Sequence, residues 1–336
     1  MSEPRVIAVL GAGSWGTALA ILLARKGLDV RLWGRNPRHM ADMARERCNS
    51  RYLPGIAFPA GLRPLDDLAA TVADAGELLL VVPSEAFRDL LRRLKPLIGD
   101  AVRVMWASKG VEPGSGKLLH QLVAEELGTQ RPMAVLSGPT FAREVAAGLP
   151  TALTVAANDV AYAEIVARLL HSETFRAYTS DDMVGVELGG AVKNVLAIAT
   201  GIADGMGLGA NTRAALITRG LAEIQRLGLQ LGGHPETFMG LACLGDLVLT
   251  CTDDQSRNRR VGMGLARGQS LEQVLAELGQ VAEGVGNARE IRQLARRHGA
   301  EMPIVEQVYQ VLYQGKAPKR AAMDLLSREP KPEYPS

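Results

Sequence analysis

The chain has 336 residues, 47% of them hydrophobic, and a formal net charge of +2. That length accommodates two domains of ordinary size with a substantial core. The small, evenly spread charge makes no electrostatic case for a nucleic-acid partner, and no apolar run reaches the roughly 18 residues of a membrane span. The start, MSEPRVIAVL, passes directly from polar residues into an apolar run and does not read as a signal peptide. Three cysteines, Cys48, Cys243 and Cys251, lack C-x-x-C spacing, which argues against a disulfide framework or a structural zinc. The five histidines are scattered, so no metal centre is expected. The composition suits a reducing, cytoplasmic setting.

Val6–Leu10 is an apolar run of strand length. It leads into Gly11-Ala12-Gly13-Ser14-Trp15-Gly16, and Thr17 to Lys26 then has helical periodicity. Glycines in the pattern G-x-G-x-x-G between a strand and a helix form a dinucleotide-binding turn. Gly11 permits the tight turn, Gly13 lets the backbone approach a pyrophosphate, and Gly16 lets the helix pack on the strand. The helix N-terminus then presents unpaired N–H groups and a positive dipole end to the phosphates. Asp29–Trp33 reads as the second strand and is followed by Arg35, where an acidic residue would mark a preference for NAD. An Arg there suits the 2′-phosphate of NADP, with Arg31 and Arg38 nearby to share the role, or else is a solvated surface side chain.

Farther along, Pro37–Leu53 reads as a polar helix and Asp67–Asp74 as a short one. Apolar runs at Glu77–Val82, Val102–Ala107 and Pro132–Leu136 alternate with helical stretches at Ala86–Leu97 and Leu118–Leu127. Such alternation predicts a doubly wound parallel sheet with ligands at the carboxyl ends of its strands. Those ends carry Lys109 and the run from Ser137 to Thr140. Leu153–Ala156 and Phe175–Thr179 are two further strands, candidates for an antiparallel edge. From Met183 onward only helices are expected: Val184–Ala203, Arg213–Leu227, Arg259–Ala266, Leu271–Leu278, Ala288–Arg297 and Ile304–Gln314. The fold class is therefore α/β, an N-terminal doubly wound (Rossmann) domain over 1–187 followed by an all-α domain over 188–328. A proline-rich tail over 329–336 completes the chain.

Lys193 is the most unusual residue. Between Met183 and Asp204 only Glu187 and Lys193 are charged, and glycines stand one turn before the lysine. An ammonium in such a helix needs a partner. It is either an active-site acid or a lysine snorkelling out of a core helix. Asp246, in an apolar glycine-bounded run, needs a cationic or N–H partner unless it caps a helix. Ser256-Arg257-Asn258 at a helix start would form an anion site, or else belong to a solvated charged loop. Val281 to Gly286 reads as a small turn with one carboxylate, Glu283.

Together these residues resemble the bacterial NAD(P)-dependent glycerol-3-phosphate dehydrogenases. The resemblance runs through GAGSWGTALA, VVPS, ASKG, SGPTFAREVA, VELGGAVKNVLAIATGIADG, GLACLGDLVLT and SRNRRVG, nearly the whole chain. It implies interconversion of dihydroxyacetone phosphate and sn-glycerol 3-phosphate for phospholipid synthesis with an NAD(P) cofactor, the choice between the two resting on Arg35, which favours NADPH and leaves NAD possible. It also implies Lys193 as the catalytic residue. The cofactor contacts it implies, beyond the glycine turn, are Ser14, Trp15, Arg35, Lys109, Ala142, Arg257, Val281 and Glu283. The implied substrate contacts are Lys109, Gly138, Thr140, Lys193, Asp246, Ser256, Arg257 and Asn258. A homodimer without metal is expected. The rival readings are a different NADP-dependent dehydrogenase acting on a hydroxy or sugar acid, and a dinucleotide sensor without turnover, which the fold alone does not separate.

Overall fold

A computed structural model describes residues 6–329 and 332–333. Residues 1–5 and most of the expected tail lie outside the described residues. The chain forms two compact units. The first takes the residues up to Gly190 together with Leu231–Asp246, and the second takes Ala191–Gln230 and Leu247 onward.

The first unit begins β1 (Val6–Leu10), α1 (Ser14–Arg25), β2 (Asp29–Trp33), α2 (Pro37–Glu46), β3 (Cys48–Asn49), β4 (Leu53–Ala57) and β5 (Leu62–Leu65). It continues α3 (Leu68–Val72), β6 (Glu77–Leu80), α4 (Phe87–Leu94), β7 (Arg103–Trp106), α5 (Leu119–Leu127), β8 (Met133–Ser137) and α6 (Ala142–Ala147). Then come β9 (Thr151–Ala157), α7 (Val160–Leu170) and β10 (Phe175–Ser180). Eight strands form one sheet in the order β10-β9-β8-β7-β6-β1-β2-β5. β1 is buried on both faces, as a central parallel strand should be. Its alternating side chains split between two cores. Ile7 and Val9 join Leu19 and Leu23 of α1. Ala8 and Leu10 join Leu90 of α4 and Leu119 of α5.

The strand order reverses between β1 and β6, because β2 and β5 extend one way and β7 and β8 the other. β1, β2, β6, β7 and β8 are parallel, so their carboxyl ends share one edge of the sheet. β9 runs antiparallel to β8, but β10 is parallel to β9, so only one of the expected edge pairings is antiparallel.

Two local readings change. The helix expected over Pro37–Leu53 stops at Glu46, because Arg47 turns left-handed at φ 52°. The Arg47 guanidinium donates to the carbonyls of Pro59 (2.6 Å) and Leu62 (2.8 Å), and a hairpin of β3 and β4 follows. β5 was not foreseen because it contains Pro64, which a strand tolerates at the sheet edge.

α8 (Met183–Gly205) and α9 (Gly209–Gln230) follow. Next are α10 (Pro235–Phe238), a π turn over Leu241–Gly245, and α11 (Asp246–Thr252). The remaining helices are α12 (Arg257–Ala266), α13 (Leu271–Leu278), α14 (Glu283–Arg297), α15 (Pro303–Tyr313) and α16 (Pro318–Leu326). By length and hydropathy α8 would suffice for a membrane span, but its apolar window is 94% buried, as in a core helix. In the second unit α12 crosses α8 at backbone contact. A Cβ on Gly201 would lie 2.0 Å from the Arg259 carbonyl oxygen, and one on Gly262 would lie 2.1 Å from that of Ile198. Only glycine at both crossing points allows this.

Candidate active site

In the first unit the glycine turn sits at the strand-order reversal. Gly11 has φ +130°, and a Cβ there would lie 2.1 Å from the Val81 carbonyl oxygen, just past β6. A Cβ on Gly16 would lie 1.9 Å from the Gly11 carbonyl oxygen, so α1 starts in direct contact with its own turn. Gly13 differs: it is exposed, and nothing lies within 4 Å of its missing Cβ. It is also the cap position of α1 and offers no side chain to the first N–H groups. Trp15 Nε1 is buried without a partner. A bare helix start, an open approach at Gly13 and an orphaned indole N–H fit a pyrophosphate-bearing dinucleotide.

Asn49, brought by the unforeseen hairpin, holds this turn from behind. Its Nδ2 donates to the Ala12 carbonyl (3.1 Å) and to Thr17 Oγ1 (2.8 Å). Arg35 is exposed at the carboxyl end of β2, as expected. Arg31 is also engaged at the end of α3: its Nη1 donates to the carbonyls of Ala70 (3.0 Å) and Ala73 (2.5 Å).

At the same sheet edge Lys109 Nζ donates to Asp246 Oδ2 at 2.7 Å and to the Gly138 carbonyl at 3.4 Å. Asp246 is only 1% exposed, so its cationic partner is required. It stands in the first turn of α11, which reconciles the two sequence readings: it is at a helix start and also ion-paired. Thr140 Oγ1 donates to the same Gly138 carbonyl (3.1 Å), and Ala142 opens α6. Lys109, Gly138, Thr140 and Asp246 therefore form one cluster, with Ala142 two residues on.

α8 is anchored in the first unit by its other charged residue. Glu187 is 4% exposed and accepts from Trp106 Nε1 (3.1 Å), the His120 N–H (3.0 Å) and His120 Nδ1 (2.6 Å). Burial lowers the His120 pKa, but the Glu187 hydrogen bond and charge outweigh it, so the imidazole titrates above its ordinary value.

In the second unit Lys193 is 6% exposed, and its ammonium donates to Thr250 Oγ1 at 2.9 Å. It ends on a buried hydroxyl and not in solvent, contrary to the snorkelling alternative. Ser256 caps α12, with Oγ accepting from the Arg259 N–H at 3.2 Å. The Ser256 N–H itself donates to the Asp253 carbonyl (3.2 Å), so it is not available to an anion as expected. The N–H groups of Arg257 and Asn258 lie at the first two helix positions, beyond the helix's own hydrogen-bond ladder.

The Arg257 guanidinium donates to Gln280 Oε1 (3.3 Å). Burial lowers its pKa, Glu283 raises it and Arg260 lowers it further. Asn258 is tied on both sides: Nδ2 donates to Asn194 Oδ1 (2.9 Å), and Oδ1 accepts from the Gly284 N–H (2.9 Å). Arg259 is a structural pin, its guanidinium ion-paired with Asp204 (2.7 Å) and Asp254. Val281 is half-exposed, and Glu283 begins α14 instead of lying in a turn.

Two family models cover most of the chain: the NAD-dependent glycerol-3-phosphate dehydrogenase N-terminus over residues 6–163 and the C-terminus of the same family over 182–323. The chain belongs to the NAD-dependent glycerol-3-phosphate dehydrogenases. It is 58% identical over 99% of its length, and all of the relative's, to glycerol-3-phosphate dehydrogenase [NAD(P)+] of Thioalkalivibrio sulfidiphilus. It is 54% identical over 98% of its length, and 97% of the relative's, to that of Shigella boydii serotype 4. The crystal structure of the Coxiella burnetii glycerol-3-phosphate dehydrogenase superposes with a TM-score of 0.94 at 51% identity, covering 96% of this chain and 99% of that one.

Sequence reasoning passed over Asn194 and Asn49, and it put Thr250 in the cluster running from Gly240 to Arg260 without giving it a role. Thr250 had a signal: it stands four residues after Asp246, on the same side of one helix. Asn194 had one too, a second polar residue beside Lys193 in an apolar helix. Asn49 had none, because the hairpin that delivers it was read as helix.

Proposed function

We propose that this dehydrogenase reduces dihydroxyacetone phosphate to sn-glycerol 3-phosphate with Lys193 as the proton donor, NADPH as the preferred cofactor and phospholipid synthesis as the use of the product. Membership of the family supports the reaction and an NAD(P) cofactor. The observation that carries the residue assignment is Lys193 itself, a buried ammonium held by a hydroxyl and not by bulk water.

The nicotinamide cofactor supplies the hydride when bound. Gly11, Gly13, Ser14, Trp15 and Gly16 would hold its pyrophosphate, and exposed Arg35 supports NADPH over NADH through the 2′-phosphate. Of the remaining family positions, Lys109, Ala142, Arg257, Val281 and Glu283 are assigned to the cofactor as well.

The chain's own work begins with the substrate phosphate. Arg257 and the N–H groups of Arg257 and Asn258 supply charge and donors for a dianion, while Ser256 keeps a hydroxyl hydrogen to give. Lys109, oriented by Asp246, and the Gly138–Thr140 turn bind the rest of the substrate. Binding energy spent on the phosphate orients the carbonyl, which remote binding does best. Lys193 stabilises the negative charge that develops on the carbonyl oxygen and passes its proton to that oxygen. In oxidation of glycerol 3-phosphate it takes the proton back. We place the enzyme in the cytoplasm as a homodimer.

The test is NADPH oxidation with dihydroxyacetone phosphate beside unphosphorylated dihydroxyacetone. Turnover of the first and not the second is expected. Equal rates would remove the phosphate grip, and an absence of turnover with either would remove the activity.

A further inference from the structure

The two adjacent glycines of α8 serve different neighbours. A Cβ on Gly189 would lie 2.8 Å from Cys243 Cβ and 2.9 Å from the Ala242 carbonyl oxygen, so Gly189 lets the Leu241–Gly245 turn pack against the helix. Gly190 differs in that its nearest neighbours outside the helix are side chains. Nearest to its missing Cβ are Ser137 Oγ at 3.0 Å and then Cγ and Cδ of Lys109 at 3.5 and 3.7 Å. The aliphatic stem of Lys109 therefore passes over Gly190 before the ammonium reaches Asp246 at 2.7 Å. Ser137, 3% exposed at the end of β8, completes the wall. Its Oγ is buried without a hydrogen-bond partner, a costly state for a hydroxyl. No hydrogen bond accounts for its position, whereas its contact with the space above Gly190 does.

We propose that Gly190 and Ser137 are positioning residues, forming the slot that sets the path of the Lys109 stem and so aims its ammonium at Asp246. The chemistry is plain. A lysine stem has four rotatable bonds and holds one geometry only if packing removes the alternatives. A methyl added at Gly190 fills the slot, touching the stem on one side and pressing on Ser137 Oγ on the other. Shortening Ser137 to alanine reopens the space the methyl needs. The proposal rests on the reading of Lys109 as a substrate-binding residue, but its geometric content stands apart from that reading.

The experiment compares wild type, Gly190→Ala, Ser137→Ala and the double variant Gly190→Ala/Ser137→Ala. Three quantities are measured on each: thermal stability, kcat/KM for dihydroxyacetone phosphate with NADPH, and the ¹⁵Nζ resonance of Lys109, assigned with Lys109→Arg. Gly190→Ala should shift the Lys109 signal and lower kcat/KM up to about tenfold, since a misplacement of about 1 Å can cost 10²-fold and the shift here is a fraction of that. Ser137→Ala, which loosens one wall of the slot, should lower kcat/KM by less than Gly190→Ala does, and the double variant should recover both the signal and most of the rate lost in Gly190→Ala.

An unmoved Lys109 resonance in a folded Gly190→Ala protein overturns the slot. So does a double variant no better than Gly190→Ala. If Gly190→Ala fails to fold, a folded double variant supports the contact with Ser137, and an unfolded one overturns it. Should wild type show no turnover, the functional reading fails, yet the Lys109 resonance in the four proteins still decides the slot.

Discussion

The starts of α12 and α15 belong to the same helical unit and present the same physics, N–H groups without partners inside the helix and a positive dipole end. At α15 the chain supplies its own acceptor. The buried carboxylate of Glu223 accepts from the N–H groups of Ile304 (2.7 Å) and Val305 (3.3 Å). At α12 the cap is the neutral hydroxyl of Ser256, which takes the Arg259 N–H and leaves those of Arg257 and Asn258 beside a guanidinium. One start is satisfied from within. The other keeps two backbone donors beside the Arg257 guanidinium, whose charge Glu283 offsets only from a neighbouring helix start, an arrangement that suits an anion from outside. α1 is a third case: with Gly13 at its cap it offers backbone alone and room for a ligand to come close. At α12 and α1 the fold thus withholds the internal partner that it supplies at α15.

This comparison can be sharpened or broken. The largest effect should come from a residue at neither start. Lys193→Met removes the ammonium but keeps an apolar stem of similar length. Turnover should fall by roughly 10²–10⁴-fold while NADPH still binds, the usual worth of a positioned proton donor. Lys193→Arg should not restore it, because a guanidinium does not exchange its proton near neutral pH. Steady-state rates and fluorescence titration of NADPH on one preparation check this; a rate within a few-fold of wild type would make Lys193 a structural lysine.

Next in size is Arg257→Ala, which strips the open start of its charge. KM for dihydroxyacetone phosphate should rise by the equivalent of about 1.5–3 kcal/mol, the worth of a charge-assisted hydrogen bond. An unchanged kcat/KM would mean that the α12 start holds no phosphate. A smaller change is expected at β2. Arg35→Asp should move the ratio of kcat/KM for NADPH over NADH several-fold toward NADH, and a constant ratio would leave Arg35 as a solvated side chain.

The smallest effect lies at the closed start and appears in stability, not in KM. Burial pushes the Glu223 carboxyl up to about 7, although the N–H groups of Ile304 and Val305 and the charges of Arg226 and Arg328 pull it back. The folded chain thus holds a proton that the unfolded chain releases near the ordinary value of 4.5. This group's contribution to stability is greatest below about 4.5 and declines as pH rises to about 7. Glu223→Gln should flatten the fall in Tm between pH 5 and pH 8 by a few degrees. Calorimetry at the two pH values measures it, and an identical slope in both proteins would mean that Glu223 does not titrate there.

Much of this was legible in residue order. The glycine turn between strand and helix, the alternation of strands and helices to Leu136, and the lone lysine of an apolar helix are local patterns, and local sterics and periodicity decide them wherever they occur. Residue order also placed Ser256 to Asn258 at a helix start. Tertiary structure alone decided the partners. Asp246 meets Lys109 across 137 residues of chain, and Lys193 meets Thr250 across 57. It alone showed that Arg31 is engaged at the end of α3, that the Ser256 N–H is taken by Asp253, and that the hairpin after Arg47 delivers Asn49 to the glycine turn. It also returned Leu231–Asp246 to the first unit, a path with no mark in the sequence. The reason is physical. A residue's conformational preference is written in its near neighbours, whereas the partner of a buried charge is chosen by where the packed chain brings a compensating group within about 3 Å.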